Sequence, residues 1–209
     1  MRGRFITFEG GEGAGKSTQV KLLKADLESR GIEVVLTREP GGTPLSERIR
    51  TLLKDYEEDA PNARAEVLLF LAARAQLVES VIEPALAAGK WVISDRFSDS
   101  TLAYQGYGRG LDIGLLREMN DFACTSLKPD LTILMDLEPE VASSRMRGRE
   151  SATGTSADRI ERAGADFHRR LRDGFLRLAA AEPSRLKLVD ASRPVEDIHS
   201  AVRRLVFSV

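Results

Sequence analysis

Cysteine is almost absent from this chain of 209 residues, which carries Cys124 alone. One cysteine excludes an internal disulfide and a cysteine-based zinc site, and its scarcity indicates a reducing compartment. Because Cys124 follows an apolar helical pattern, we expect a buried structural thiol. Histidine is nearly as rare: His168 and His199 are the two present and lie far apart. Histidine-based metal or triad chemistry is therefore not expected.

The chain also lacks an excess of charge and any long apolar run. Its 31 Lys and Arg and 32 Asp and Glu leave a net charge of −1, which gives no overall attraction to nucleic acid or membrane. No stretch approaches the roughly 20 apolar residues of a membrane span, and no signal peptide is expected from the first residues. We therefore expect a cytoplasmic protein in which anions bind only to local clusters of charge.

A complete phosphate-binding loop, G-x-x-x-x-G-K-[ST], lies close to the N-terminus. With the residue after it, the loop supplies the candidate ATP ligands: Gly10, Gly11, Glu12, Gly13, Ala14, Gly15, Lys16, Ser17 and Thr18. Its glycines let consecutive N–H groups face phosphate oxygens, and Lys16 can reach the β- and γ-phosphates. The Ser17 hydroxyl is a candidate Mg²⁺ ligand. A strand before the loop and a helix after it would place the phosphates at a helix N-terminus.

Short apolar runs alternate with longer helical patterns along the whole chain. The predicted strands are 4–8, 33–37, 91–94, 131–135 and 186–189, and the predicted helices are about 16–30, 45–54, 63–88, 112–126, 139–149, 160–181 and 195–206. This order predicts a single α/β domain, 1–209, whose parallel sheet is wound by right-handed crossovers. Ligands of such sheets bind beyond the carboxyl ends of the strands.

Polar residues follow three of the predicted strands, where such a site would lie. Glu9 follows the first strand, Arg38 the second, and Asp95 and Arg96 the third. Asp95 is either the second-motif carboxylate that holds Mg²⁺, directly or through water, or a helix or turn cap. Arg96 beside it can present its guanidinium to a phosphate. The Pro- and Gly-rich loop after Arg38 is either a rigid crossover turn or a phosphate clamp for a second substrate.

Two further patterns leave alternatives open. Phe70 and Arg74, one helical turn apart, could stack a nucleobase and bond its edge, but the pattern alone favours an amphipathic core helix with a solvated arginine. Arg145, Arg147 and Arg149 precede a Gly-, Ser- and Thr-rich stretch at 150–157, which we expect to be flexible. This run is either a solvated helix face or a lid that closes over ATP.

Together these stretches resemble the bacterial-type thymidylate kinases of the nucleoside monophosphate kinase family. The resemblance spans nearly the whole chain and is carried by residues 8–17, 37–43, 95–106, 108–110 and 158–161. It implies a three-layer P-loop NTPase fold with a five-stranded parallel sheet, a mobile lid at about 141–161, and a homodimer. It also implies transfer of the ATP γ-phosphate to dTMP with Mg²⁺, forming dTDP for dTTP biosynthesis.

The resemblance also implies roles for individual residues. The implied substrate ligands are Glu9, Arg38, Phe70, Arg74, Arg96, Ser100, Tyr104 and Gln105; the implied metal ligands are Ser17 and Asp95; and the implied catalytic residues are Lys16, Arg96 and Arg149. Arg38 and Arg96 would hold the acceptor phosphate, while Phe70 would stack on thymine and Arg74 would bond its edge. Tyr104 would pack near the sugar and Gln105 near the base. Glu9 would contact a sugar hydroxyl or the metal shell.

One departure from the family pattern leaves the catalytic lid arginine open. Residues 150–157 lengthen the lid, so Arg145 or Arg147 is an alternative to Arg149. Two other functions remain possible: a kinase for another nucleoside monophosphate or a deoxynucleoside, and a nucleotide-driven switch. A switch would be supported by a guanine-reading Asn-Lys-x-Asp, but the nearest match, at 127–130, lacks the asparagine.

Overall fold

A computed structural model describes residues 2–54, 60–153 and 163–208, with the backbone alone described at 149–153. Its strands, β1 to β5, are Phe5–Glu9, Val34–Arg38, Trp91–Asp95, Leu131–Asp136 and Leu186–Asp190. They form one sheet in the order β2-β3-β1-β4-β5, and every neighbouring pair is parallel. The predicted five-stranded parallel sheet is therefore confirmed.

Each strand extends one residue further at its carboxyl end than the sequence pattern predicts. The added residue is polar in every case. It belongs to the strand because backbone pairing with neighbouring strands continues beyond the apolar run. Arg38 and Asp95 are paired across β2 and β3, and the Arg96 amide donates to the Phe8 carbonyl at 2.9 Å. Three candidate site residues, Glu9, Arg38 and Asp95, are thus strand residues held in register by the sheet.

Helices follow the strands in the predicted alternation. Helices α1 to α9 are Lys16–Ser29, Pro44–Lys54, Ala63–Leu77, Glu83–Ala87, Ser98–Thr101, Ile113–Ala123, Pro139–Thr153, Ala165–Ala181 and Val195–Phe207. Two π-helical segments interrupt this series: Val78–Ile82 joins α3 to α4, and Leu102–Gly108 follows α5. Helix α7 continues to Thr153, four residues beyond its predicted end, whereas residues 154–162 lie outside the described part of the chain.

The helical region at 98–108 is absent from the sequence prediction. Its Ser, Asp, Thr and Gly residues are poor helix formers, so tertiary packing must stabilise it. Tyr104 supplies much of this packing, because its ring lies edge-on to Phe175 at 6.2 Å and tilted against Phe167 at 6.3 Å, both on α8. Helix α8 thus braces the segment that carries Tyr104 and Gln105.

The sheet is covered on both faces, which confirms the three-layer fold. Alternate β1 residues face opposite sides: Ile6 and Phe8 pack with α1 and α9, whereas Phe5 packs with α4 and the first π segment. Cys124 is buried on the same side of the sheet as Phe5, as expected, and burial raises the pKa of its thiol to about 12. Within the described residues, no helix has the length and apolar character to cross a bilayer.

Candidate active site

The phosphate-binding loop connects β1 to α1 and adopts backbone angles that favour glycine. Gly10 has φ 128° and Gly13 has φ 69°. A Cβ at Gly10 would lie 2.3 Å from the Met135 carbonyl oxygen, and one at Gly13 would lie 2.9 Å from that of Ala142. The glycines therefore allow the loop to lie against β4 and α7 while its N–H groups remain available for phosphate.

Lys16 is the first residue of α1 and folds back over the loop. Its Nζ donates to the carbonyl oxygens of Gly10 at 3.1 Å and Gly11 at 2.7 Å. Burial, reinforced by nearby Arg96, lowers the pKa of Lys16. The two hydrogen bonds hold the ammonium at the helix N-terminus, where a phosphate would meet both its charge and the macrodipole.

Ser17 and Asp95 meet at the carboxyl edge of the sheet. The Ser17 hydroxyl donates to Asp95 Oδ2 at 2.9 Å, so two oxygens of the type that Mg²⁺ prefers are adjacent. Asp95 does not cap α5, since that helix has Phe97 as N-cap and no side-chain capping bond. In the described chain, no three His, Cys, Asp or Glu side chains gather as a metal site. A cation here would therefore depend on phosphate oxygens and water, as Mg²⁺ commonly does.

Arg96 is held between the phosphate loop and the second π segment. Its Nη1 donates to the Gly10 carbonyl at 2.9 Å, and its Nη2 donates to Glu12 Oε1 at 2.6 Å. Tyr104 donates its hydroxyl to the same oxygen at 2.9 Å, and its ring lies 4.9 Å from the guanidinium. Burial opposes ionisation of Glu12, but Arg96 and Lys16 outweigh it and lower the pKa of Glu12 to about 2.

Glu9 is fully buried behind Arg96 and fixes the start of α5. Its carboxylate accepts from the Phe97 amide at 2.8 Å, the Ser100 amide at 3.2 Å and the Ser100 hydroxyl at 2.6 Å. Burial, followed by repulsion from Asp99, raises the pKa of Glu9 to about 7. Since Ser100 also accepts from Arg96 at 3.3 Å, Glu9 helps to position the arginine from beneath the site.

The raised pKa of Glu9 predicts a pH-dependent stability that Glu9→Gln would remove. The folded state holds the proton up to about pH 7, whereas the ordinary value is 4.5, so wild-type stability falls as pH rises through that window. The free energy of unfolding of Glu9→Gln minus that of the wild type should therefore increase between pH 5 and pH 8, by up to about 3 kcal/mol. Urea unfolding across this range, with exposed Glu28→Gln as control, measures the difference. A constant difference would contradict the assignment.

Arg38 is the last residue of β2 and is exposed to solvent. Its side chain is 56% exposed, and its guanidinium donates to both oxygens of Glu47, at 3.1 and 3.2 Å. Glu47 also accepts from the Gly42 amide at 2.8 Å. The loop after β2 is therefore a braced turn that carries an exposed arginine. Its role as a phosphate clamp stays a prediction.

Arg74 is 1% exposed, so the interpretation of a solvated arginine is wrong. Its five N–H groups donate to Glu39, Thr101 Oγ1, Asn120 Oδ1 and the Phe97 carbonyl. The burial was missed because Glu39 comes from the loop after β2, 35 residues upstream. A bond from Arg74 to a base edge stays a prediction and would require a donor to be shared.

A single cavity of about 780 Å³ brings most of the candidate residues together. The candidates that line it are Glu12, Gly13, Gly15, Lys16, Ser17, Thr18, Arg38, Phe70, Arg74, Asp95, Arg96, Ser100, Tyr104 and Gln105. Glu9, Gly10, Gly11 and Ala14 do not line it. The cavity thus joins the phosphate loop, the strand-end arginines and the second π segment.

One face of α2 also lines the cavity, and the sequence interpretation missed it. Arg50, Leu53 and Lys54 contribute there, and the Arg50 guanidinium donates to the Pro40 carbonyl at 2.8 Å. Their i, i+3, i+4 spacing, directly after the Arg38 loop, is the signal that could have identified them.

Arg145 of α7 links the predicted lid to the rest of the site. Its Nη1 donates to the Ala191 carbonyl at 2.9 Å and lies 3.5 Å from the Gly13 carbonyl. Arg145 and Met146 both line the central cavity. The side chain of Arg149 lies outside the described residues, so its catalytic role stays a prediction.

Comparisons with known proteins identify the family of the chain. The family model for thymidylate kinase matches residues 8–202. The thymidylate kinase of Magnetococcus marinus is 48% identical over 206 residues, which are 99% of this chain and 96% of the relative. That of Pelotomaculum thermopropionicum is 52% identical over 201 residues, covering 95% and 90%. The crystal structure of thymidylate kinase from Ehrlichia chaffeensis superposes with a TM-score of 0.77 at 35% identity, covering 99% of both chains.

Proposed function

The chain belongs to the thymidylate kinase family and phosphorylates dTMP to dTDP with ATP; on this premise we propose how the central cavity divides between the two nucleotides. The observation that carries the proposal is that Lys16 and the strand-end arginines Arg38 and Arg96 line one cavity. The triphosphate lies along the phosphate loop with its γ-phosphate at Lys16. The dTMP phosphate lies opposite, against the two arginines.

Transfer between the two phosphates depends on positioning and on neutralising charge. Lys16 and Arg96 are both fixed by the carbonyl oxygen of Gly10, so their charges converge without reorganisation during the reaction. The dTMP phosphate shares Arg96 with Glu12, whose carboxylate is bonded to that guanidinium. Phe70, Tyr104 and Gln105 also line the cavity, and we place thymine and the deoxyribose against them.

We assign Mg²⁺ to the oxygens of Ser17 and Asp95, which lie 2.9 Å apart. When bound, the ion would neutralise charge on the transferring phosphoryl group. The residues themselves orient one another, since the Ser17 hydroxyl is directed at Asp95. We also assign the role of catalytic lid arginine to Arg149. The lid comprises residues 141–161 and belongs to the single kinase domain. Loss of activity in Arg145→Ala but not in Arg149→Ala would reverse the choice of arginine.

Asp95→Asn tests the metal assignment. The amide keeps the size of the side chain and an acceptor for Ser17 but removes the charge. We expect the Mg²⁺ concentration for half-maximal activity to rise about 10- to 100-fold. Activity should be titrated with Mg²⁺ at saturating ATP and dTMP, alongside the exposed control Asp173→Asn. An unchanged Mg²⁺ requirement would remove Asp95 from the metal site.

We infer a homodimer from an apolar surface on α3 and α6, which pack against each other. Leu68, Leu115 and Phe122 are 57%, 56% and 88% exposed there, and Leu115 and Phe122 lie two turns apart on one face of α6. Exposed apolar patches commonly mark protein interfaces. Sedimentation of the wild type as a monomer at micromolar concentration would refute the assignment.

We also place the enzyme in the cytoplasm, which its recovery in an extracytoplasmic fraction would contradict.

A further inference from the structure

A buried carboxylate lies behind the end of the cavity that we assign to the base. Glu66 of α3 is 0% exposed and accepts bonds from two residues at the end of the second π segment. Gln105 Nε2 donates to its Oε1 at 2.8 Å, while Arg109 donates to both oxygens, at 2.7 and 2.9 Å. The bidentate arginine fixes the plane of the carboxylate and favours its ionised form.

An ionised carboxylate can only accept hydrogen bonds. It therefore requires the amino group of the Gln105 amide to face Glu66, which leaves the carbonyl oxygen, Oε1, on the opposite branch. Within the described residues that oxygen accepts no hydrogen bond. It is also not fully buried, because it is absent from the buried polar atoms that lack a partner. Since Gln105 lines the central cavity, Oε1 is the branch of its amide that remains available to a ligand there.

We propose that Glu66 is a positioning residue that fixes the hydrogen-bonding sense of Gln105 and so makes the site select a pyrimidine with an N3–H donor. The inference rests on the proposed placement of the base against Gln105. Thymine and uracil carry a hydrogen on N3, whereas N3 of cytosine is an acceptor that would face Gln105 Oε1. Glu66 therefore acts against dCMP without distinguishing dTMP from dUMP.

The test is a cycle of Glu66→Gln, Gln105→Ala and the double variant, with kcat/KM measured for dTMP, dUMP and dCMP. A glutamine at 66 can donate as well as accept, so the Gln105 amide can turn. We expect Glu66→Gln to lower the dTMP-to-dCMP preference about tenfold, mainly by lowering the KM for dCMP, and to leave the dTMP-to-dUMP preference unchanged. In the Gln105→Ala background the same change should have no further effect on either preference.

The matched control is Glu182→Gln, which neutralises another carboxylate paired with an arginine, Arg185, outside the cavity. It should change neither preference. If Glu66→Gln does not yield folded enzyme, Glu66→Asp is measured instead, because it keeps the charge beside Arg109 but withdraws the carboxylate from Gln105. The same loss of preference against dCMP is expected.

The outcomes separate this inference from the placement of the base. If Gln105→Ala keeps the full preference against dCMP, the base does not lie at Gln105, and both proposals fail. If Gln105→Ala loses the preference but the Glu66 variants retain it, the placement stands and the role of Glu66 is wrong. Equal loss of the dTMP-to-dCMP and dTMP-to-dUMP preferences in Glu66→Gln would show general loosening of the site and would also overturn the inference.

Discussion

Arg96→Ala is expected to lower kcat/KM for dTMP about 100- to 1,000-fold, equivalent to about 3–4 kcal/mol of transition-state stabilisation. Arg96 is held in advance by the Gly10 carbonyl and by Glu12, so its charge needs no reorganisation during transfer. Alanine removes that charge and also leaves Glu12 without a guanidinium partner, so its carboxylate would repel the incoming phosphate. Both effects weaken the acceptor end of the cavity.

A coupled assay of ADP release, with dTMP varied at saturating ATP and Mg²⁺, measures the loss. The matched control is Arg169→Ala, which removes an arginine that is 56% exposed on α8. Thermal unfolding of both variants shows whether the fold is retained. Wild-type turnover in a folded Arg96→Ala enzyme would remove Arg96 from the reaction.

Lys16→Ala should reduce kcat by at least as much, about 100- to 1,000-fold, because it removes the cation at the γ-phosphate. The effect should fall on kcat more than on the KM for dTMP, since Lys16 lies at the donor end. The buried ammonium bonds two loop carbonyls, so a smaller loss of thermal stability is also expected.

The exposed Lys21 of α1 supplies the control, because Lys21→Ala removes the same charge five residues further along the helix. Single-turnover measurement at saturating nucleotides isolates the transfer step from product release. A Lys16→Ala enzyme that transfers phosphate at the wild-type rate would place the γ-phosphate elsewhere.

The sheet could be predicted from the sequence because its strands are short apolar runs, and the three central ones, β1, β3 and β4, are largely buried on both faces. The phosphate loop was equally visible, since its glycine, lysine and serine spacing is a local property of the chain. The one-residue extension of each strand was not visible. It depends on pairing between polar residues such as Arg38 and Asp95, which no local pattern records.

Long-range packing explains what the sequence did not reveal. The helix at 98–108 has poor intrinsic propensity and depends on α8, through contacts such as that of Tyr104 with Phe175. The burial of Arg74 depends on Glu39 from the loop after β2 and on Asn120 from α6. Partners this distant in sequence cannot be assigned from an i, i+4 pattern on one helix.

The most direct test of the shared cavity is a crystal structure with dTMP and a non-hydrolysable ATP analogue bound together. We predict the γ-phosphate at Lys16, the dTMP phosphate between Arg38 and Arg96, and the two phosphates aligned for in-line transfer. A structure in which dTMP occupies a separate site, or in which its phosphate lies away from both arginines, would contradict the account.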